Sequence, residues 1–199
     1  MLEHYGLLLE SDKKFPSVVN IIVRKPVIGS WWGHPSGKLI WTVSNNLAES
    51  SDVLLAKLVS RKVTLIHRKL WRNVIAVGTS RDDWQINSLS PEAMELLHCV
   101  DERGKVRTDR LANTEEKSVR MMTSSDAVRE LEYRLLVQSE EVHTESGAHA
   151  RILQSWQDWA SSRRLKGKFP HVSDAKAKLE KLIQRMNKNS GAKGKLPWQ

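Results

Sequence analysis

The residues best placed to do chemistry in this 199-residue chain are a histidine set among tryptophans, Trp31-Trp32-Gly33-His34-Pro35. Aromatic rings beside a glycine can cradle a flat ligand, and an imidazole moves protons near neutral pH. Trp31, Trp32 and His34 therefore read as a pocket for a flipped or single-stranded base. The competing expectation is a structural loop in which the indoles fill core space and His34 bonds to backbone. Adjacent indoles are expected to point apart. A second constellation is His143-Thr144-Glu145-Ser146-Gly147-Ala148-His149, two imidazoles and a carboxylate around one turn. Zinc accepts such donors, but the spacing fits neither a His-Glu-x-x-His helix nor a zinc finger, and no metal is assigned. An enzyme acting on a base needs a group that activates water, and Gln85, Glu141 and Glu145 are the candidates beside His34. The chain has no nucleotide-binding glycine loop, no Gly-x-Ser-x-Gly elbow and no aspartate-rich metal motif, so no cofactor is implied.

Charge is the second strong signal. The formal net charge is +9. In the last forty residues Arg163, Arg164, Lys166, Lys168, Lys176, Lys178, Lys181, Arg185, Lys188, Lys193 and Lys195 face only Asp174 and Glu180. That is eleven minus two, so residues 1–159 are formally neutral, with 21 basic and 21 acidic side chains. A cationic segment gains free energy by releasing counterions from a polyanion, and nucleic acid is the expected partner. Within that segment Arg163, Arg164, Lys166, Lys168, Lys176, Lys178 and Lys181 are the phosphate-contact candidates. The lone cysteine, Cys99, sits in an apolar run and excludes a disulfide framework, which fits a reducing compartment. No apolar run is long enough to span a bilayer. The expected location is cytoplasmic, or on the nucleoid in a bacterium, with no membrane partner.

Elements must position these groups. Val18 to Val23 is short and β-branched, which predicts a strand or an extended arm. Leu39, Ile40, Val43 and Leu47 recur at helical spacing, with Ser36 as the cap. Asp52–Val59 and Val63–Ile66 read as paired strands about a polar break, although Leu55, Leu58 and Val59 also fit one face of a continuous helix, and Lys69–Val77 reads as a helix stopped by Gly78. Ser90-Pro91-Glu92 opens a helix with a capping hydroxyl, proline in the first turn and an early carboxylate. Ala93, Leu96, Leu97 and Val100 form its apolar stripe. After Gly104, a short helix capped by Thr108 follows, then one from Ser125 or Asp126 with Val128, Leu131 and Leu135 inward and Arg129 and Arg134 outward. Residues 135–153 are read as a hairpin about Ser146-Gly147, although heptad spacing keeps one long helix open. Three helices and a hairpin predict a winged helix. Its DNA-facing candidates are Arg107, Thr108, Arg110, Lys117, Arg120 and Arg151. Trp156 and Trp159 are expected to pack. An amphipathic helix over 174–186 presents Leu179, Leu182, Ile183 and Met186, a face that a partner protein's groove could take or that could equally fold back onto the chain's own core, and a flexible end is expected from Asn187.

Three stretches resemble an uncharacterised group of bacterial proteins: Ser30-Trp31-Trp32-Gly33-His34-Pro35, Lys57-Leu58-Val59-Ser60 with His67-Arg68-Lys69-Leu70-Trp71, and Val142 to His149. That group is similar to the winged-helix alkylpurine DNA glycosylases. The resemblance covers residues 30–160 and implies a DNA-associated role in base repair. The glycosylase motif Gln-x-Gln or Gln-x-Asp is not matched, since the local fragment is Gln85-Ile86-Asn87. The combined expectation is a mainly helical α+β protein with a winged-helix-like core, short hairpins and a basic C-terminal helical tail, divided into 1–89, 90–160 and 161–199. Duplex DNA is the expected partner.

Overall fold

The computed structural model describes residues 2–25, 27, 29–112 and 125–199. The protein is mixed α+β and mainly helical, with two three-stranded antiparallel sheets. It forms two compact units, residues 1–74 with 173–199, and residues 75–172. Compared with the division expected from the sequence, residues 75–89 join the winged-helix part and residues 173–199 join the N-terminal part. No helix among the described residues is long and apolar enough to cross a membrane.

The first unit contains α1 (Leu2–Tyr5), β1 (Leu7–Leu9), α2 (Val18–Val23), a 3-10 turn (Trp31–Gly33), α3 (Gly37–Ala48), β2 (Val53–Val59) and β3 (Lys62–His67). Strand β3 is central, flanked by β1 and β2. Ser60 and Arg61 both adopt positive φ, 51° and 60°, the left-handed pair that a tight hairpin needs. The β2–β3 register shifts between Ala56 and Val59. There the buried Thr64 hydroxyl accepts from Val59 N at 3.1 Å and donates to Lys62 O at 3.0 Å, which satisfies backbone groups at the irregularity. Residues 18–23 are helical, not extended. Ser17 Oγ accepts from Asn20 N at 3.2 Å, and burial of Val18 and Val19 outweighs their β-branched preference.

The C-terminal helix, labelled α10 (Val172–Ser190), buries Ala175, Leu179, Ile183 and Met186. Of the two expectations for this face, folding back into the protein is the one observed. The end beyond it is held as well. Ser60 N donates to Lys195 O at 2.8 Å and Lys195 N to Ser60 Oγ at 3.2 Å. Asn187 exchanges two hydrogen bonds with the Gly194 backbone, at 2.7 and 2.8 Å, and Leu196 is buried. The expected flexible end is instead a docked segment, because Leu196 supplies an apolar anchor and Asn187 a two-point clasp.

The chain passes from one unit to the other within α4 (Trp71–Gly78). The second unit continues through α5 (Asp83–Ile86), α6 (Pro91–Arg103), β4 (Lys105–Arg107), α7 (Thr108–Ala112), α8 (Ser125–Tyr133), β5 (Gln138–His143), β6 (His149–Gln154) and α9 (Trp156–Ser162). Among the described residues the order helix, strand, helix, helix and hairpin, with sheet order β4-β6-β5, is winged-helix-like. Ser90 Oγ accepts from Ala93 N at 3.2 Å to start α6, and Gly104 at φ 70° ends it. The positive φ favours glycine there, and a Cβ, 2.6 Å from the Asp158 carboxylate, would oblige that side chain to move. Leu96, Leu97, Val100, Val106, Leu131 and Leu153 join in one core. Helix α8 ends as Leu135 turns to φ 53°, and residues 135–153 form the hairpin, not a continuation of the helix.

Candidate nucleic-acid interface

In the first unit, the Trp31–Gly33 turn brings the two indoles together. Their rings stack at 4.3 Å with 19° between planes, whereas the sequence predicts divergence. A 3-10 turn allows this where a strand or an α-helix would not. Trp31 is 8% exposed and packs with Val19 and Ile40, while Trp32 is 66% exposed. His34 Nδ1 accepts the Ser36 backbone N–H at 3.1 Å, so the imidazole acts as a local backbone cap. The Ser36 hydroxyl makes no capping bond to α3. Trp41 and Leu39 on α3 expose further apolar surface beside Lys38.

The other candidates for water activation belong to the second unit, where Gln85 and Glu141 have structural partners. Gln85 is 0% exposed. Its Oε1 accepts from Ser80 Oγ at 2.8 Å and Asp82 N at 3.1 Å, and its Nε2 donates to Arg134 O at 2.9 Å. Arg134, expected on the outer face of its helix, turns inward. Its guanidinium donates to the carbonyls of Trp84, Asn87 and Ser88 at 2.8, 2.8 and 3.2 Å. Glu141 pairs with Arg151 at 2.8 Å and with His149 Nδ1 at 2.7 Å. Glu145 sits exposed in the wing turn. The carboxylate beside the histidines is thus Glu141, set diagonally across the ladder, and not Glu145. The His143 and His149 rings lie 4.7 Å apart. Among the described residues no group of three or more His, Cys, Asp or Glu side chains is arranged to hold a metal ion.

Among the described residues, the arginines of α8 and the hairpin that a winged helix would turn to DNA are paired with carboxylates. On α8, Asp126 pairs with Arg129 at 3.5 Å. Glu130 accepts from Ser90 Oγ at 2.8 Å and lies 3.4 Å from Arg134. The hairpin exposes Glu140, Glu141 and Glu145, and Arg151 is occupied by Glu132 at 3.6 Å as well as by Glu141. Thr108 is buried and its hydroxyl accepts Arg151 N at 3.0 Å, bracing α7 against β6. Arg107 donates to Asp109 at 2.8 Å and to His143 O at 3.3 Å. That bond, followed by burial, which opposes it, holds the Asp109 carboxyl below its ordinary range. Arg110 is exposed. Lys117 and Arg120 lie outside the described residues.

Beyond the hairpin, Trp156 and Trp159 are buried as expected. Trp156 Nε1 donates to Leu135 O at 2.7 Å. The Arg163 guanidinium lies 5.5 Å from the Trp159 ring centre. Arg164, Lys166 and Lys168 are exposed after it. Lys176 approaches the Trp198 ring at 5.8 Å, and Trp198 Nε1 donates to Glu180 at 2.7 Å. Lys178, Lys181, Arg185 and Lys188 are exposed. Their steps of three, four and three residues set them in one stripe on α10, about 15 Å long at 1.5 Å per residue.

Counted by unit, the charge is distributed differently from the expected neutral body and basic tail. Residues 1–74 and 173–199 hold 18 Lys and Arg against seven Asp and Glu, a formal +11. Residues 75–172 hold 14 against 16, a formal −2. The basic helix is part of a basic domain, and the winged helix is slightly acidic. Arg185 and Lys188 complete a stripe for which the 3.6-residue period was the available signal. Comparison of the chain with family models, curated proteins and solved structures finds no match.

Proposed function

We propose that the protein binds nucleic acid through sequence-independent phosphate contacts, with duplex DNA as the partner and the outer stripe of α10 as the main contact. The observation that carries this reading is the row Lys178, Lys181, Arg185 and Lys188 on a helix whose opposite face is buried. An anchored helix presents its cations in a fixed line at intervals of about 5 Å, so less ordering entropy is lost on binding than with a free tail. A duplex offers a regular row of phosphates, and each neutralised phosphate releases counterion. The rest of the unit adds a broadly positive field that speeds encounter. Trp32 and Trp41, exposed on the same unit, supply aromatic faces for an unpaired base.

In this reading selectivity does not come from α8 in the major groove, because Asp126 and Glu130 accompany Arg129 there. Fluorescence anisotropy of labelled duplexes against the full chain over a salt series tests the proposal. Four phosphate contacts predict a fall of log K with log salt of slope about −3.6, at about 0.9 per contact, and similar affinities for unrelated sequences. Failure to bind any duplex at low salt, or binding indifferent to salt, would overturn it.

A further inference from the structure

The second unit contains a cavity of about 490 Å³ at the edge of its sheet, where the end of α6, the edge strand β4 and the short α7 meet. Arg103, Lys105, Arg107 and Arg110 line it, together with the apolar side chains of Leu111 and Ile152. Its volume lies within the range of small-ligand sites, roughly 300–1,000 Å³. Four cations in one concavity repel each other, and the one carboxylate described beside them, Asp109, pairs with Arg107 at 2.8 Å and also attracts Arg110. Among the described residues, Arg103, Lys105 and Arg110 form no ion pair and are exposed. Such a gathering stands out in a unit whose formal charge is −2.

We infer that this cavity binds a nucleotide through its phosphates. Guanidinium groups suit phosphate because their planar forks donate two parallel hydrogen bonds, and the same planes stack on bases. The Lys105 ammonium adds a compact charge. Leu111 and Ile152 offer apolar wall to a base or a sugar, which inorganic phosphate alone would leave uncovered. Arg107 is already directed by Asp109 and by His143 O, so it serves as the preset member of the group while Arg103, Lys105 and Arg110 close on the ligand. The chemistry is shared by a free nucleotide and by the phosphorylated end of a strand. This inference concerns the winged-helix unit alone and does not depend on duplex binding by α10.

Titration calorimetry of the full chain with ATP at low salt tests it, with inorganic triphosphate as the comparison. Binding of ATP that weakens about tenfold or more in the Arg103→Gln/Arg110→Gln double variant, and is partly restored by Arg103→Lys/Arg110→Lys, is the expected result. Both variants alter exposed side chains, and an unchanged melting temperature confirms that they fold. No heat with ATP, equal affinity in the glutamine variant, or triphosphate binding as tightly as ATP would overturn the inference. Oligonucleotides bearing a 5′-phosphate or a 5′-hydroxyl assign the source. A preference for the phosphorylated strand that disappears in the glutamine variant marks a strand end, and equal binding of the two marks the free nucleotide.

Discussion

Gln85 has the chemistry of a catalytic amide, yet every polar atom of its side chain is engaged in architecture. Its partners are Ser80, Asp82 and the carbonyl of Arg134, the last 49 residues away. Gln85→Ala should therefore lower stability by about 1–3 kcal/mol, the cost of leaving buried partners unsatisfied, with the loss read by urea unfolding. Unchanged stability would mean that the amide is free for chemistry. Gly78 is a second position of this kind, since a Cβ there would run into the Trp156 indole. Gly78→Ala should cost about 1–3 kcal/mol by overpacking. Asp12 gives a pH signature. Burial raises its pKa, but the Lys62 ammonium at 2.6 Å and the backbone N–H groups of Lys14 and Phe15 outweigh burial and lower it. A carboxyl lowered in the folded state contributes stability above its unfolded pKa of about 4 and loses that contribution as pH falls through the folded value. Acid unfolding should accordingly be shallower in Asp12→Asn than in the parent below about pH 4, and identical titrations would contradict this role. Sequence alone reveals caps such as Ser90 and stops such as Gly78, because their partners lie within a few residues. It does not show Gln85 facing Arg134, or Arg134 turning inward.

Elements with strong local signals were legible and those that depend on distant partners were not. Helix α6 has its cap, proline, stripe and terminal glycine in one stretch, and the hairpin has its Ser-Gly turn. Strand β4 is only Lys105–Arg107 and exists through pairing with β6, with Val106 opposite Leu153. Residues 18–23 follow burial against their β-branched propensity. Helix α10 was legible as an amphipathic helix, but nothing local says that its apolar face closes on its own unit. Deleting residues 173–199 should consequently destabilise the first unit, with loss of helix signal beyond the removed residues and a lower melting temperature by circular dichroism. A truncated chain that melts like the parent would contradict the structural role of the docked tail.

At the scale of the whole molecule, the chain carries a strongly basic unit and a slightly acidic winged helix. Net charge and composition point to a polyanion partner, but residue order hides the partition, because the basic helix and the N-terminal strands are more than 100 residues apart in sequence. The cationic cavity at β4 was half visible, as Arg107 and Arg110, while Arg103 and Lys105 join them only once α6 ends at Gly104 and the chain turns into the edge strand. In the proposed function an anchored helix face, and not α8 of the second unit, holds the nucleic acid. The most direct measurement is the salt dependence of duplex affinity for the parent and for the Lys178→Gln/Lys181→Gln/Arg185→Gln/Lys188→Gln variant. The stripe predicts that the slope of log K against log salt becomes shallower by about 3.6, at about 0.9 per lost phosphate contact, with the melting temperature unchanged. An unaltered slope in a folded variant would contradict the claim and place the contact elsewhere on the protein.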